Sequence, residues 1–125
     1  LYHKDIPWCG TVDFVCFSRK LNKYVMVDFK TGNEYKSHQV QLNGYKMIWD
    51  KLFKDFTIDA IYGLYLKDGW VKKPTFGFKK FPISKDLPNY VYRLWKWANQ
   101  NSKGELAPAL PREFPDEFTI QEESK

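Results

Sequence analysis

Two stretches dense in β-branched and aromatic residues, Gly10-Thr-Val-Asp-Phe-Val-Cys-Phe-Ser18 and Lys23-Tyr-Val-Met-Val-Asp-Phe-Lys30, flank the polar tetrapeptide Arg19-Lys-Leu-Asn22. Such side chains suit the pleated, half-buried surface of a strand, and so short a connection makes a hairpin of the two. The second stretch is apolar on both faces, which places it in the middle of a sheet. Thr31-Gly32-Asn33 then breaks the pattern.

From Ser37, an expected N-cap, to about Phe53 the spacing changes to that of a helix. Gln41, Tyr45, Ile48, Trp49, Leu52 and Phe53 share one face, and Lys46, Asp50 and Lys54 share the other. Residues 57 to 67 read as a third strand, Asp68-Gly69 as a turn, Pro74 to Phe81 as a fourth strand, and residues 88 to 101 as a second helix with Val91, Leu94, Trp95 and Ala98 on one side. The order strand, strand, helix, strand, strand, helix suggests an α/β or α+β sandwich with helices covering a central sheet.

At 125 residues the chain is one domain's worth of sequence. The folded part is expected over residues 1–103. Residues 104–125, with Pro108, Pro111 and Pro115 among six acids and two bases, are expected to form an acidic, extended tail. With the whole chain at +5, a tail at −4 leaves the first 103 residues at +9. An excess of that size attracts polyanions, DNA being the usual one, although solvating lysines account for it equally well. No apolar run approaches the roughly 18 residues that span a bilayer, so the expectation is a cytoplasmic protein without membrane contact. The chain opens on Leu1 rather than Met, which suggests that something functional lies upstream.

Cysteine chemistry is excluded early. Cys9 and Cys16 stand seven apart, and on a single strand they would point to opposite faces, beyond reach of a disulfide. With His3 and His38 they form no zinc or iron–sulfur ligand spacing. There is no G-x-x-x-x-G-K-[ST] phosphate loop, no H-E-x-x-H and no G-x-S-x-G.

Chemistry concentrates on the hairpin. Positions i and i+2 of a strand face the same way, so Asp28 and Lys30 project together. A turn centred on Leu21-Asn22 places Asp13 opposite Lys30, one diagonal step from Asp28. Two carboxylates in an apolar setting repel and require a compensating cation. Lys30 offsets one charge, and a hard ion such as Mg²⁺, which takes one or two carboxylates and fills its sphere with water, carbonyls or phosphate, offsets the rest. The carbonyl of Phe29 is the expected backbone ligand. Such a site suits phosphodiester hydrolysis. The competing reading of an Asp-x-Lys strand is an ordinary surface ion pair.

Gly10-Thr11-Val12-Asp13, Val27-Asp28-Phe29-Lys30-Thr31-Gly32 and Gln41-Leu42-Asn43-Gly44-Tyr45 resemble, in order, the G-x-x-D, D-x-K-T-G and Q-x-x-x-Y motifs of the RecB-like branch of the PD-(D/E)XK nuclease superfamily. The resemblance spans residues 10 to 45 closely and extends loosely to about residue 100. It implies an α/β, restriction-endonuclease-like core with a mixed central sheet of about four strands flanked by helices, and a Mg²⁺- or Mn²⁺-dependent DNA nuclease, an exonuclease by preference, serving recombination, repair or phage DNA processing. In the last case the host cytoplasm would be its compartment. It further implies that Asp13 and Asp28 match the metal-binding acids, Lys30 the catalytic lysine, and Gln41 and Tyr45 the helix motif that shapes the site and contacts DNA. The i, i+4 spacing of that pair independently puts both on one helix face, as it would for a core Tyr beside a hydrogen-bonded Gln.

The chain departs from the family in one respect. A helix before the first strand, which often supplies a further Glu or His, has no counterpart in the nine residues before Gly10. That ligand is absent, or comes from His3 or Asp5, from a missing segment, or from another chain. The rival reading is therefore a non-cleaving DNA-binding or assembly module that keeps the fold, and a structural protein with a fortuitous Asp-x-Lys is the third. Lys72-Lys73, Lys79-Lys80, and Tyr90, Arg93 and Trp97 of the second helix are candidate DNA contacts, with a solvated edge and a packed helix as the plainer alternative.

Overall fold

A computed structural model of the chain describes residues 1–67 and 75–107. It contains strands β1 (Phe14–Ser18) and β2 (Lys23–Thr31), helix α1 (Lys36–Leu52), strands β3 (Ala60–Lys67) and β4 (Thr75–Phe81), and helix α2 (Leu87–Asn99). The strands form one sheet in the order β1-β2-β3-β4. The outer pairs are antiparallel and the central pair, β2 with β3, is parallel. The architecture is α/β with a mixed four-stranded sheet. Two adjacent parallel strands need a crossover, and α1 supplies it.

The loop is the expected tetrapeptide, but the pairing is not the one that a turn centred on Leu21-Asn22 gives. Ser18 pairs with Lys23, so the loop is Arg19–Asn22, closed by Leu21 N–H donating to Ser18 Oγ (3.3 Å), and Asn22 takes the left-handed conformation (φ 51°). The register is shifted by two residues from the one expected. A two-residue shift leaves every side chain on its face, because the strand period is two. β1 also starts at Phe14 rather than Gly10. The Asp13 carboxylate accepts the Phe29 N–H (2.8 Å), occupying a β2 donor that a longer β1 would have paired.

Helix α1 lies on one face of the sheet. Met26, Ile58, Ile61, Tyr65 and Phe81 pack under Leu42 of α1, with Tyr45 and Trp49 against them. Ile48 is also buried, whereas Leu52 and Phe53, expected on the buried face, are exposed, because the helix ends there and the chain turns away through a 3₁₀ segment, Lys54–Phe56. The N-cap is Tyr35, not Ser37. On the opposite face Val25, Val27 and Ala60 form a small cluster with Cys16, Tyr62 and Leu64, while Phe14, Phe29, Phe76 and Phe78 are exposed.

The chain divides into two compact units, residues 1–93 and 94–125, the second described as far as residue 107. The boundary falls inside α2. Within the first unit, Pro88 at the start of α2 is buried and the Tyr92 ring meets Trp8 edge-on with centroids 6.0 Å apart. Val91, Leu94, Trp95 and Ala98, which helical spacing puts on one side, are all exposed. The Asp68-Gly69 turn, the Lys72-Lys73 pair, and the tail from residue 108 onward lie outside the described residues.

Asn43 ties α1 to the segment after β4. Its side chain is 3% exposed; Nδ2 donates to Gln39 O (2.8 Å) and Pro82 O (3.0 Å), and Oδ1 accepts Ser84 N–H (2.7 Å). Asn43→Leu leaves buried backbone groups unpaired, a loss of about 2 kcal/mol. Thermal unfolding followed by circular dichroism should show Tm lower by roughly 8 °C; an unchanged midpoint would contradict the bridge.

Candidate active site

Residues facing α1 along β2 are Met26, Asp28 and Lys30, and the pleat carries the last two to the C-terminal end of the strand. Asp28 is 4% exposed. Its Oδ2 meets the Lys30 ammonium in an ion pair, yet that oxygen has no aligned hydrogen bond among the described residues. Burial pushes the Asp28 carboxyl above the ordinary carboxylate range; the Lys30 ammonium pulls it back, and the neighbouring Asp13 carboxyl pushes it up again. Extended one pair beyond Phe14 and Val27, the β1–β2 register puts Asp13 on the same face of the sheet as Asp28. Asp13 is itself exposed, and its other engagement is the Phe29 amide.

Helix α1 organises the lysine. Lys30 Nζ donates to Gln41 Oε1 (2.6 Å), and Gln41 Nε2 donates to Tyr45 OH (2.8 Å). Gln41 and Tyr45 are one turn apart on the face turned to the sheet, so the amide of one fixes the phenol of the other and presents its carbonyl oxygen to the ammonium. Asp28, Lys30, Gln41 and Tyr45 are joined by this chain of contacts, and Asp13, the fifth side chain singled out in the sequence, acts on Asp28 through its charge. Phe29 lies between the two functional β2 positions with its ring half exposed on the far side of the sheet.

Gly10 completes the arrangement. A Cβ built there would stand 2.6 Å from Tyr45 Cζ and 2.7 Å from its hydroxyl oxygen, so the glycine of G-x-x-D is where the Tyr45 ring approaches the backbone. Gly10→Ala should displace the ring and cost about 2 kcal/mol of stability, as overpacking of a tight contact does. Chemical denaturation is the measurement, and stability equal to that of the parent would mean that the ring is free to give way.

Three further residues escaped the sequence reading. His38, one turn before Gln41, has Nδ1 2.7 Å from Tyr65 OH, and Tyr65 pairs with Lys30 in the β2–β3 register. Burial, and then Lys30, holds the His38 imidazole below its ordinary pKa, against the opposing pull of Asp28 and Glu34; burial raises the Tyr65 phenol. Glu34 accepts from Lys79 Nζ at 2.6 Å on the exposed rim. Helical spacing of His38 with Gln41 and Tyr45 was the available signal. Tyr65 had none, since its place depends on the parallel pairing of β3.

His3 and Asp5 engage each other (His3 Nδ1 to Asp5 Oδ2, 3.8 Å). Among the described residues no group of three or more His, Cys, Asp or Glu side chains is set to hold a metal ion. What the site itself offers a hard cation is two adjacent carboxylates, one with a buried oxygen lacking an aligned donor. That donor set fits a Mg²⁺- or Mn²⁺-type ion, for which one or two carboxylates suffice when water and phosphate complete the sphere. Tyr90, Arg93 and Trp97 lie on α2 across the unit boundary, and Tyr90 and Trp97 are exposed. No helix among the described residues is long and apolar enough to cross a membrane.

Comparison of the chain with protein-family models, with curated proteins and with solved structures gives no match.

Proposed function

We propose that the chain carries a RecB-like PD-(D/E)XK nuclease core, restriction-endonuclease-like in fold, that hydrolyses DNA phosphodiester bonds with Mg²⁺ or Mn²⁺. The observation carrying this reading is the convergence of three separate sequence motifs on one cluster: Asp13 beside Asp28, Asp28 paired with Lys30, and Lys30 held by the Gln41–Tyr45 pair. An ordinary surface ion pair requires none of the outer members.

In this reading Asp13 and Asp28 hold the ion, with the Phe29 carbonyl as the backbone ligand. When bound, the ion supplies positive charge against the scissile phosphate and makes water there more acidic. Lys30 Nζ orients the attacking water and, from its place beside Asp28, balances the negative charge of the carboxylates. Gln41 limits the ammonium to one position, so little ordering is left for the moment of reaction. The positive balance of the first 103 residues draws DNA toward the site. An exonuclease of recombination, repair or phage DNA processing, working in a cytoplasm, is the form the motif resemblance favours.

A second reading, a DNA-binding or assembly module that no longer cleaves, is favoured by one observation: no third His, Cys, Asp or Glu among the described residues joins the two acids. Incubation of the full chain with end-labelled single- and double-stranded DNA separates the two. Cleavage that depends on Mg²⁺ or Mn²⁺ supports the nuclease. Binding without cleavage in either metal supports the module.

A further inference from the structure

A groove of about 370 Å³ runs along the flank of α1 that faces away from the acidic cluster, between the helix and the segment joining β4 to α2. Its floor is apolar, made by Met47 and Ile83, and Ile83 is 42% exposed, an aliphatic side chain left facing solvent beside a polarisable thioether. Its rim is cationic. Lys46 is committed to Asp50, whose other oxygen accepts the Ile58 N–H. Lys51 and Lys85, at opposite sides of the groove, have no carboxylate partner among the described residues. Ser84 also lines it. Its Oγ accepts the Leu87 N–H and so keeps its own hydroxyl proton to donate, and it stands just before the first turn of α2, where backbone dipoles favour an anion.

We propose that this groove binds one nucleotide unit, its phosphate between Lys51, Lys85 and the Ser84 hydroxyl and its base on Met47 and Ile83. Two ammonium groups without a carboxylate partner among the described residues, together with a hydroxyl donor, match a phosphate monoester or diester, and apolar lining in a cavity of this size takes a flat, weakly polar body. A bare anion leaves the floor uncovered, and an apolar molecule leaves the lysines unused. That the phosphate ester is a nucleotide rests on reading the chain as acting on DNA; the preference for a phosphate carrying an apolar body does not. The groove shares no lining residue with the Asp13–Asp28–Lys30 cluster, so it is a second contact point, for a free mononucleotide or for one nucleotide of a strand.

The test is a heteronuclear NMR titration of the full chain with deoxyadenosine monophosphate and, separately, with a short oligothymidylate, with inorganic phosphate and deoxyadenosine as controls. Saturable shifts at Met47, Lys51, Ile83, Ser84 and Lys85 are expected, and Lys51→Glu with Lys85→Glu should weaken binding at least about tenfold while the rest of the spectrum stays in place. Saturation by the mononucleotide identifies a free nucleotide as sufficient. Saturation by the oligonucleotide alone identifies a strand. Absence of shifts at the groove with both, an unchanged affinity in the double variant, or equally tight binding of phosphate or of deoxyadenosine overturns the proposal. Repeating the titration with Asp28→Asn separates the two readings, since groove binding should survive there whether or not the parent cuts DNA.

Discussion

Asp28→Asn is expected to give a protein that is folded, more stable than the parent at neutral pH, and inactive on DNA. The stability change follows from the direction in which burial moves this carboxyl. Its folded pKa is raised above the ordinary 3.8 by burial first, by Asp13 next, with Lys30 only partly compensating. Between the unfolded and folded values the folded state therefore binds more protons than the unfolded one, and stability falls as pH climbs through that window. The contribution of a protonated Asp28 is fully present below about pH 3.8 and lost above the folded pKa. Asparagine keeps the shape without the charge and removes this slope, so guanidinium unfolding at several pH values should show the parent, but not the variant, losing stability with rising pH through that window. Activity moves the other way. In the proposed nuclease the carboxylate would be an anionic ligand of the ion, and without it hydrolysis should drop by about a thousandfold or more, roughly 4 kcal/mol at the transition state. A residue that weakens the fold and is needed for turnover is what a reactive site requires; a variant that loses stability and keeps cleavage would contradict both halves.

Lys30→Met has the opposite structural sign and the same functional one. The aliphatic stem is retained, but Asp28 is left buried with Asp13 as its charged neighbour and no cation, and removal of one partner from a largely buried pair costs about 3 kcal/mol at neutral pH. Protonation of Asp28 relieves that cost. With the ammonium gone its pKa climbs further, so the difference in Tm between parent and variant should shrink as pH is lowered toward 4. Cleavage should fall by about 10² to 10⁴, the usual range for a group that positions or moves a proton in the transition state. Asp28→Asn should raise stability by more in the Lys30→Met background than in the parent, since the double change leaves no buried charge. Equal increments in the two backgrounds would mean that the two side chains do not act as a pair.

Much of this arrangement was legible in the sequence because it depends on parity rather than on detail. Asp28 and Lys30 share a face by the strand period, and Asp13 joins them even though Lys23 pairs with Ser18 rather than with Lys20; the shift of two returns the same face. Gln41 and Tyr45 were placed correctly by helical spacing, while the buried stripe of α1 was drawn too far toward its C-terminus at Leu52 and Phe53. Spacing in α2 put Val91, Leu94 and Trp95 on one side, and all three are exposed. Periodicity states which residues share a side and is silent on what lies against it. The role of Tyr65 was out of reach for a related reason: its contact with His38 arises only once β3 pairs in parallel with β2, a non-local choice that no window of sequence contains.

The central claim is that Asp13 and Asp28 together hold a divalent cation beside Lys30. Titration of the full chain with Mn²⁺, followed by paramagnetic broadening of its amide resonances, tests this most directly. The expected result is early, saturable broadening centred on Asp13, Asp28 and Phe29, abolished in Asp13→Asn and Asp28→Asn and competed by Mg²⁺. Broadening that begins elsewhere on the chain, or that persists unchanged in both variants, would contradict it.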